Sequence, residues 1–361
     1  MVKGRSLFSL SGLVLSVLLT ACASAPPEAP QKEYVFPPPP DPARFVFETT
    51  LVSTAQVQDV DSKSRFRMMV TGERQKGKMM PKPFDVAVCK GRIYVSDTVA
   101  RRVFVFDPVE GVSFDIGGSR PGILNKPMGV AVDANCNLYV ADMSQSRIVL
   151  YDRDGGYITA MGGSSMFNRL TYVAVDPAGE RVYAVDTGGV GTQEHRVRVF
   201  DVANGNHLFD IGTRGTGDGE FNLPRGIDVA PDGTVYVVDA GNFRVQAFSR
   251  DGEFLHSFGS LGRQMGQFAR PKGIAVDPDG NVYVADTSFG NFQIFDAEGN
   301  LLLFIGDRGS SGGPAEYMLP SGMAVDENGR IYMVDQFFHK VDIFRPAQLA
   351  TTDGYLGAWF R

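Results

Sequence analysis

Few of the residue types that mark catalytic or nucleic-acid-binding chains occur here. The 361 residues include only three cysteines and four histidines, so a zinc centre built on several imidazoles has little to draw on. No run of Lys or Arg exceeds two residues and the formal charge is −6, which excludes a phosphate-backbone footprint. Helical periodicity is missing along the body of the chain, which argues against a bundle. The apolar stretch from Leu7 to Leu19 is too short to cross a bilayer as a helix. No arrangement of nucleophile, base and orienting group stands out.

What the chain has instead is repetition. From Pro271 it reads PKGIAVDPDGNVYVADTSFGNFQIFDAEG, and the same phrase returns from Pro83, Pro127, Pro224 and Pro320, and more loosely from Leu170. Each copy is two short apolar strands joined by a tight turn, then a third strand. The Asp closing the second strand recurs as Asp97, Asp142, Asp186, Asp239, Asp286 and Asp335, at intervals of 44 to 53 residues. Such a period in a chain of alternating strands and Gly/Asp turns predicts an all-β fold, a six-bladed β-propeller of four-stranded antiparallel blades. An open ring would leave two unpaired sheet edges, so an N-terminal strand is expected to close it. Arg44 to Val52 and Phe66 to Pro83 are the candidates, with Tyr355 to Phe360 competing for the same edge.

The motif P-x-G-[IV]-A-V-D-x-x-G-x-[IV]-Y-V-x-D followed by R-V-x-x-F-D resembles the NHL repeat, over residues 83 to 344. The resemblance implies the same ring and places the connectors between blades on one face with the second-to-third-strand loops. The opposite face carries tight turns such as DPDG, where Asp bonds its own backbone and Gly supplies positive φ. Glycine-rich stretches such as Gly212 to Pro224 and Gly259 to Pro271 recur between copies and are therefore read as connectors rather than phosphate loops. Some NHL propellers bind RNA, but an acidic exported chain lacks the charge and the compartment for it.

The N-terminus sets the compartment. Basic Lys3 and Arg5, the apolar stretch and Leu19 to Cys22, LTAC, resemble a bacterial lipoprotein signal. That resemblance implies removal of residues 1–21, lipidation of Cys22, and a cell-envelope protein sorted to the outer membrane. Residues 22–43, with PPEAP and PPPPDP, form a Pro-rich linker rising about 3.1 Å per residue, and residues 44–361 form the propeller. Cys89 aligns with Asp133 and Cys136 lies in the matching turn of the next blade, which makes them a candidate disulfide pair in an oxidising envelope.

Function is sought where the copies differ, because a residue common to every blade answers a need of every blade. The six aspartates are accordingly assigned to capping loops and pairing with the Arg that follows, Asp142 with Arg147 and Asp239 with Arg244. Three departures stand out. The third copy has an enlarged loop, TGGVGTQEH after Asp186. The place before the Arg/Lys slot carries His195, Phe243 and His339, with Phe292 offered by the fifth copy, so that the two histidines are expected to face each other across the channel mouth. The residue after the motif's Pro is Arg225 and then Lys272, with Tyr172 read at the matching place. With Phe243, Phe289, Phe337 and Phe338 as an aromatic rim, these outline a ligand site with a cationic side for a protein segment or small anionic ligand. A non-enzymatic binding or scaffold module follows, with no metal and no cofactor required. The alternative is a calcium-dependent hydrolase or lyase, since the six-bladed relatives implied by the resemblance include lactonases and an amidating lyase. Asp85 and Asp228, read at a motif position that is Gly in other copies, would serve it. Zinc fails on position, because His207 and His256 fall on blade rims.

Overall fold

The computed structural model describes residues 33–59, 62–73 and 75–360; the expected signal sequence, Cys22 and most of the expected linker lie outside them. Tyr34–Arg361 forms one compact unit. Its strands make six antiparallel blades around an axis. Innermost in each lies the first strand of a copy: Pro83–Cys89, Pro127–Val132, Leu170–Val175, Pro224–Val229, Pro271–Val276 and Pro320–Val325. These strands alternate apolar side chains to the two faces of their sheet, so each blade buries both faces against its neighbours. Six apolar clusters result, one at each blade-to-blade interface, including one that joins blade six to blade one through Val334, Val341, Val86 and Val95.

Closure is achieved by Phe45–Leu51, which pairs antiparallel with Lys340–Pro346 as the fourth strand of blade six, from Phe45 opposite Pro346 to Leu51 opposite Val341. Phe45, Val46 and Leu51 are buried. A short fifth strand, Val35–Phe36, lies outside it, so the ring begins within the stretch expected to be spacer. Phe66 to Pro83 is not a strand. Ser62–Thr71 is an α-helix, consistent with the helix preference of Met and Arg in SKSRFRMMVT and its lack of alternation. Tyr355 to Phe360 does not take the edge either: Leu356–Phe360 is a short 3-10 helix with Leu356 buried at the closing interface and the Trp359 indole N–H donating to the Gln56 carbonyl at 3.2 Å.

The connectors are held by their own residues. A side chain at Gly259 would overlap the Phe268 ring, which lies on it and plugs the gap between blades four and five. The loop amides turn inward: Glu220 accepts from the N–H groups of Thr216 and Gly217 at 3.0 and 2.8 Å, and Gln267 from that of Gln264 at 3.0 Å. An internal acceptor thus occupies amides of both loops, in keeping with their reading as connectors.

Candidate functional site

The register of the inner strands places Pro83, Pro127, Leu170, Pro224, Pro271 and Pro320 opposite the six second-strand aspartates. The next position carries Phe84, Met128, Thr171, Arg225, Lys272 and Ser321; the one after carries Asp85, Gly129, Tyr172, Gly226, Gly273 and Gly322. Tyr172 therefore stands at the glycine place, and Thr171 matches Arg225. Glycine prevails there because adjacent inner strands nearly touch: a Cβ on Gly129 would overlap the backbone at Tyr172. Asp85 and Tyr172 depart from that rule and bring polar atoms to the axis. Asp228 lies two residues further along, at a place that is Ala131, Ala275 and Ala324 elsewhere, rather than at the glycine place.

A well of about 450 Å³ runs along the axis from Asp85, Tyr172 and Asp228 to the tight turns at Lys90, Asp133, Asp176 and Glu327. Val88, Val132, Val175 and Val276 are among its walls. The inner strands have no ladder partner on the channel side, so their amides need other acceptors. Asp85 accepts the Val130 N–H at 3.0 Å, and Asp228 accepts those of Val276 at 2.8 Å and Val229 at 2.9 Å. Burial still dominates. It pushes the Asp85 carboxyl up to about 7, with the amides and Lys272 opposing and Asp228 adding; Asp228 is pushed up to about 6 by burial against its two amides.

The raised Asp85 value has a consequence for stability. Its neutral form is favoured by the fold, so the stabilisation it gives is complete below its unfolded value near 4 and is lost as pH rises through about 7. Asp85→Asn keeps an acceptor for Val130 but cannot ionise. The stability difference between Asp85→Asn and the native chain is expected to shift in favour of the variant by roughly 2–4 kcal/mol between about pH 4 and pH 8. Denaturant midpoints across that range test it, and a difference that does not change with pH refutes it.

The connector side is of opposite sign. The residue before each motif proline is Lys82, Lys126, Arg169, Leu223, Arg270 or Leu319, so four of six are basic. The motif aspartates put them there. Asp97 accepts the Lys82 N–H at 2.7 Å, Asp142 that of Lys126 at 3.0 Å, Asp186 that of Arg169 at 2.7 Å and Asp286 that of Arg270 at 2.9 Å. All six aspartates are fully buried, in keeping with their capping role. Pairing with the following Arg holds for Asp239 and Arg244, 3.0 Å apart, but Arg147 turns from Asp142 to the Ile123 carbonyl at 3.1 Å. Arg225 and Lys272 sit below this basic ring. The Lys272 ammonium lies 4.9 Å from the centre of the Phe84 ring, which packs 5.3 Å from Tyr172. Burial first, then Arg225, lowers Lys272 to about 7; burial likewise lowers Arg225.

The histidines do not join this group. His195 is fully buried: Nδ1 accepts the Leu223 N–H at 3.2 Å and Nε2 donates to the Gly189 carbonyl at 2.9 Å. It ties the enlarged loop to the next connector, helped by Arg214, whose guanidinium donates to the Thr192 and Val190 carbonyls at 2.6 and 2.8 Å. His339 Nδ1 donates to the Met80 carbonyl at 3.2 Å. Each imidazole is turned toward the neighbouring blade rather than across the mouth, so the expected opposed pair is replaced by two interblade ties. His207 and His256 lie on fourth strands, His207–Ile211 and Phe254–Phe258, away from the axis as expected.

The aromatic rim is partial. Phe337 is exposed and meets half-buried Phe338 edge-on at 5.0 Å. Half-buried Phe243 packs into the interface of blades four and five. Phe243 and His339 share a left-handed backbone, φ +57 for both, with Arg101 and Ser146. The fifth copy puts Gly290 there, and Phe292 is instead a buried strand residue. Cys89 and Cys136 form a disulfide with Cα atoms 5.6 Å apart, linking the end of one inner strand to the next blade's turn.

Lys82, Lys126, Arg169 and Arg270 were missed by sequence reasoning. Their signal was a basic residue before the motif proline in KPFD, KPMG and RPKG, and before Leu170 in RLTY. Asp85 and Asp228 are engaged by amides, and among the described residues no three His, Cys, Asp or Glu converge to hold a metal.

Residues 221–248 and 268–295, each spanning the end of a connector and three strands, match the NHL repeat. The chain carries NHL repeats. Over 89 residues this NHL propeller is 30% identical to the E3 ubiquitin-protein ligase TRIM32 of Homo sapiens, a stretch that covers 25% of the chain and only 14% of that protein. Among solved structures it is similar to a protein of unknown function from Bacteroides thetaiotaomicron, with TM-score 0.60, 19% identity and coverage of 82% of this chain and 76% of that one. It is also similar to a gluconolactonase from Xanthomonas campestris, with TM-score 0.55, 19% identity and coverage of 74% and 86%. At such identities the likeness is one of fold.

Proposed function

We propose that this NHL propeller is a non-enzymatic binding module of the cell envelope, lipid-anchored through Cys22 at the outer membrane. It takes an envelope protein or a small anionic ligand at the connector-face mouth. The observation that carries this reading is the set of basic side chains around that mouth. Lys82, Lys126, Arg169, Arg225, Arg270 and Lys272 make no side-chain hydrogen bond or ion pair among the described residues, in a chain of net charge −6. Away from the mouth some cations are paired, as Arg92 with Asp107 at 2.7 Å and Arg250 with Asp176 at 2.8 Å, while others such as Arg101 and Arg263 are single among the described residues; six together occur at the mouth. A rigid ring that gathers cations without carboxylate partners at its centre fits recognition of an anion.

Capture from solubilised envelope, with the native chain beside Arg225→Ala/Lys272→Ala, tests the reading. Partners held by the native chain are expected to be depleted at least about tenfold on the double variant. Retention of every partner removes the connector mouth as the site. The likeness in fold to a gluconolactonase keeps a metal-dependent hydrolase or lyase as the second reading, centred on Asp85 and Asp228. Elemental analysis separates the two, since stoichiometric bound calcium would move the function to the axial well.

A further inference from the structure

Two tiers of charge surround the connector mouth, and their arrangement narrows the ligand. The upper tier, Lys82, Arg169 and Arg270, is exposed, with Lys126 half-buried beside it. The lower tier, Arg225 and Lys272, is half-buried, each one residue beyond its motif proline, with Lys272 against Phe84. The tiers are within electrostatic reach of one another: Arg225, Arg270 and Lys82 all act on Lys272, and Arg169 and Arg270 on Arg225. Among the described residues the motif aspartates beneath make no ion pair with them; their oxygens accept the amides of the connector ends. A further group points to a missing acceptor. Tyr172 is 3% exposed, its hydroxyl has no hydrogen-bond partner among the described residues, and it lies in the field of Asp85 first and then of Arg225, between the axial well and the lower tier. A buried hydroxyl left without a partner costs on the order of 1–3 kcal/mol, which a bound oxygen ligand would recover.

Resting on the binding reading above, we propose that the mouth recognises a small organic polyanion with at least two separated acidic groups. One carboxylate or phosphate seats below the rim on Arg225 and Lys272, and another stays at the surface on Lys82, Arg169 and Arg270. A single carboxylate could satisfy only one tier. An extended nucleic acid would need a basic track across the face, whereas these cations converge on one axis. Seating an anion beside Lys272 favours its charged form, so a proton is taken up with the ligand. The groups facing Lys272 are Arg225, Arg270, Lys82, Asp85 and the Phe84 ring. Asp85 also loses its proton as pH rises past about 7, which makes the mouth less positive, so both changes weaken binding in the same direction.

Calorimetric titration of the full chain with propane-1,2,3-tricarboxylate, inorganic phosphate, acetate and an oligoglutamate peptide at matched ionic strength tests the proposal. The tricarboxylate is expected to bind at least about tenfold more tightly than acetate, and to weaken several-fold from about pH 6 to about pH 8 with proton uptake at the upper pH. Arg225→Gln/Lys272→Met should lose about tenfold or more, and Arg169→Gln/Arg270→Gln a smaller but measurable amount, with thermal midpoints close to native. Acetate binding as tightly as the tricarboxylate, or an outer-pair variant with native affinity, overturns the two-tier ligand. Oligoglutamate binding more tightly than any small anion overturns it in favour of a protein segment. If no anion binds while envelope capture still depends on Arg225 and Lys272, the polyanion falls and the binding reading stands.

Discussion

Replacing Arg330 by methionine is expected to cost roughly 3–5 kcal/mol of folding stability, because it strips a buried carboxylate of its main partner at the seam of the ring. Arg330 is fully buried, with Nε 2.8 Å from one Glu48 oxygen and Nη2 3.3 Å from the other. Its remaining N–H groups donate to the Asp353 and Thr351 carbonyls at 2.8 and 3.1 Å. One guanidinium thus joins the closing strand Phe45–Leu51, blade six and the C-terminal segment. Burial already raises the Glu48 carboxyl, with Arg330 the largest opposing influence. Without Arg330 the acid would have to take up a proton or remain charged beside Arg345 alone, 3.5 Å away. The loss should therefore be larger at about pH 8 than at about pH 5, and Arg330→Met/Glu48→Leu should recover much of it. Denaturant midpoints of the two single variants and the double variant test this; a loss below about 1 kcal/mol for Arg330→Met refutes it.

The same seam shows which parts of the fold were legible in the sequence. The six copies give blade number, strand order and the buried aspartates, because each answers a local demand repeated in every blade. Closure was legible as a need but not as an assignment. FVFETTL alternates and takes the edge, while the competing segments become helices: Ser62–Thr71, whose Phe66, Met69 and Val70 stay exposed, and Leu356–Phe360, with Leu356 buried at the closing interface. The Glu48–Arg330 pair joins residues 282 apart and leaves no local pattern to read.

The site was legible by type and less so by position. Arg225 and Lys272 were found because they break the repeat, and the structure keeps them together near the axis. Tyr172 and Asp228 were placed at the wrong motif positions; counted from Leu170 and Pro224, as the register confirms, Tyr172 is at the glycine place and Asp228 two residues beyond it. His195 stood out for its rarity, yet it is fully buried. In blade four Leu223 N–H goes to this imidazole, whereas its counterparts in other blades go to the motif aspartate. The four outer cations were passed over for the converse reason: as part of a repeated position they looked structural. What matters there is that the repeated contact uses only their amides and leaves their side chains free. The axis is consequently polarised, with basic groups at the connector mouth and Asp133, Asp176, Asp326 and Glu327 beside a single Lys90 around the other.

Removing the Cys89–Cys136 bond should have the second largest effect. It replaces, in blade one, the strand-end Asp that elsewhere receives a Tyr hydroxyl, as Asp277 does from Tyr283 at 2.9 Å and Asp326 from Tyr332 at 3.0 Å. Tyr94 has no such carboxylate and reaches the Cys136 carbonyl at 3.5 Å. The bond spans 47 residues, for which loop-closure entropy gives about 4 kcal/mol as an upper figure. Cys89→Ala/Cys136→Ala is expected to lose roughly 2–4 kcal/mol. Both sulfurs belong to buried residues, 4% and 1% exposed, so reductant should reach the native protein only through local or global opening. Reduction under native conditions should then be slow and accelerate with denaturant. Equal unfolding midpoints with and without reductant, together with two free thiols in the exported protein by mass, would remove the bond and its contribution. The bond ties blades one and two together at the turn face, beside the walls of the axial well at Lys90 and Asp133.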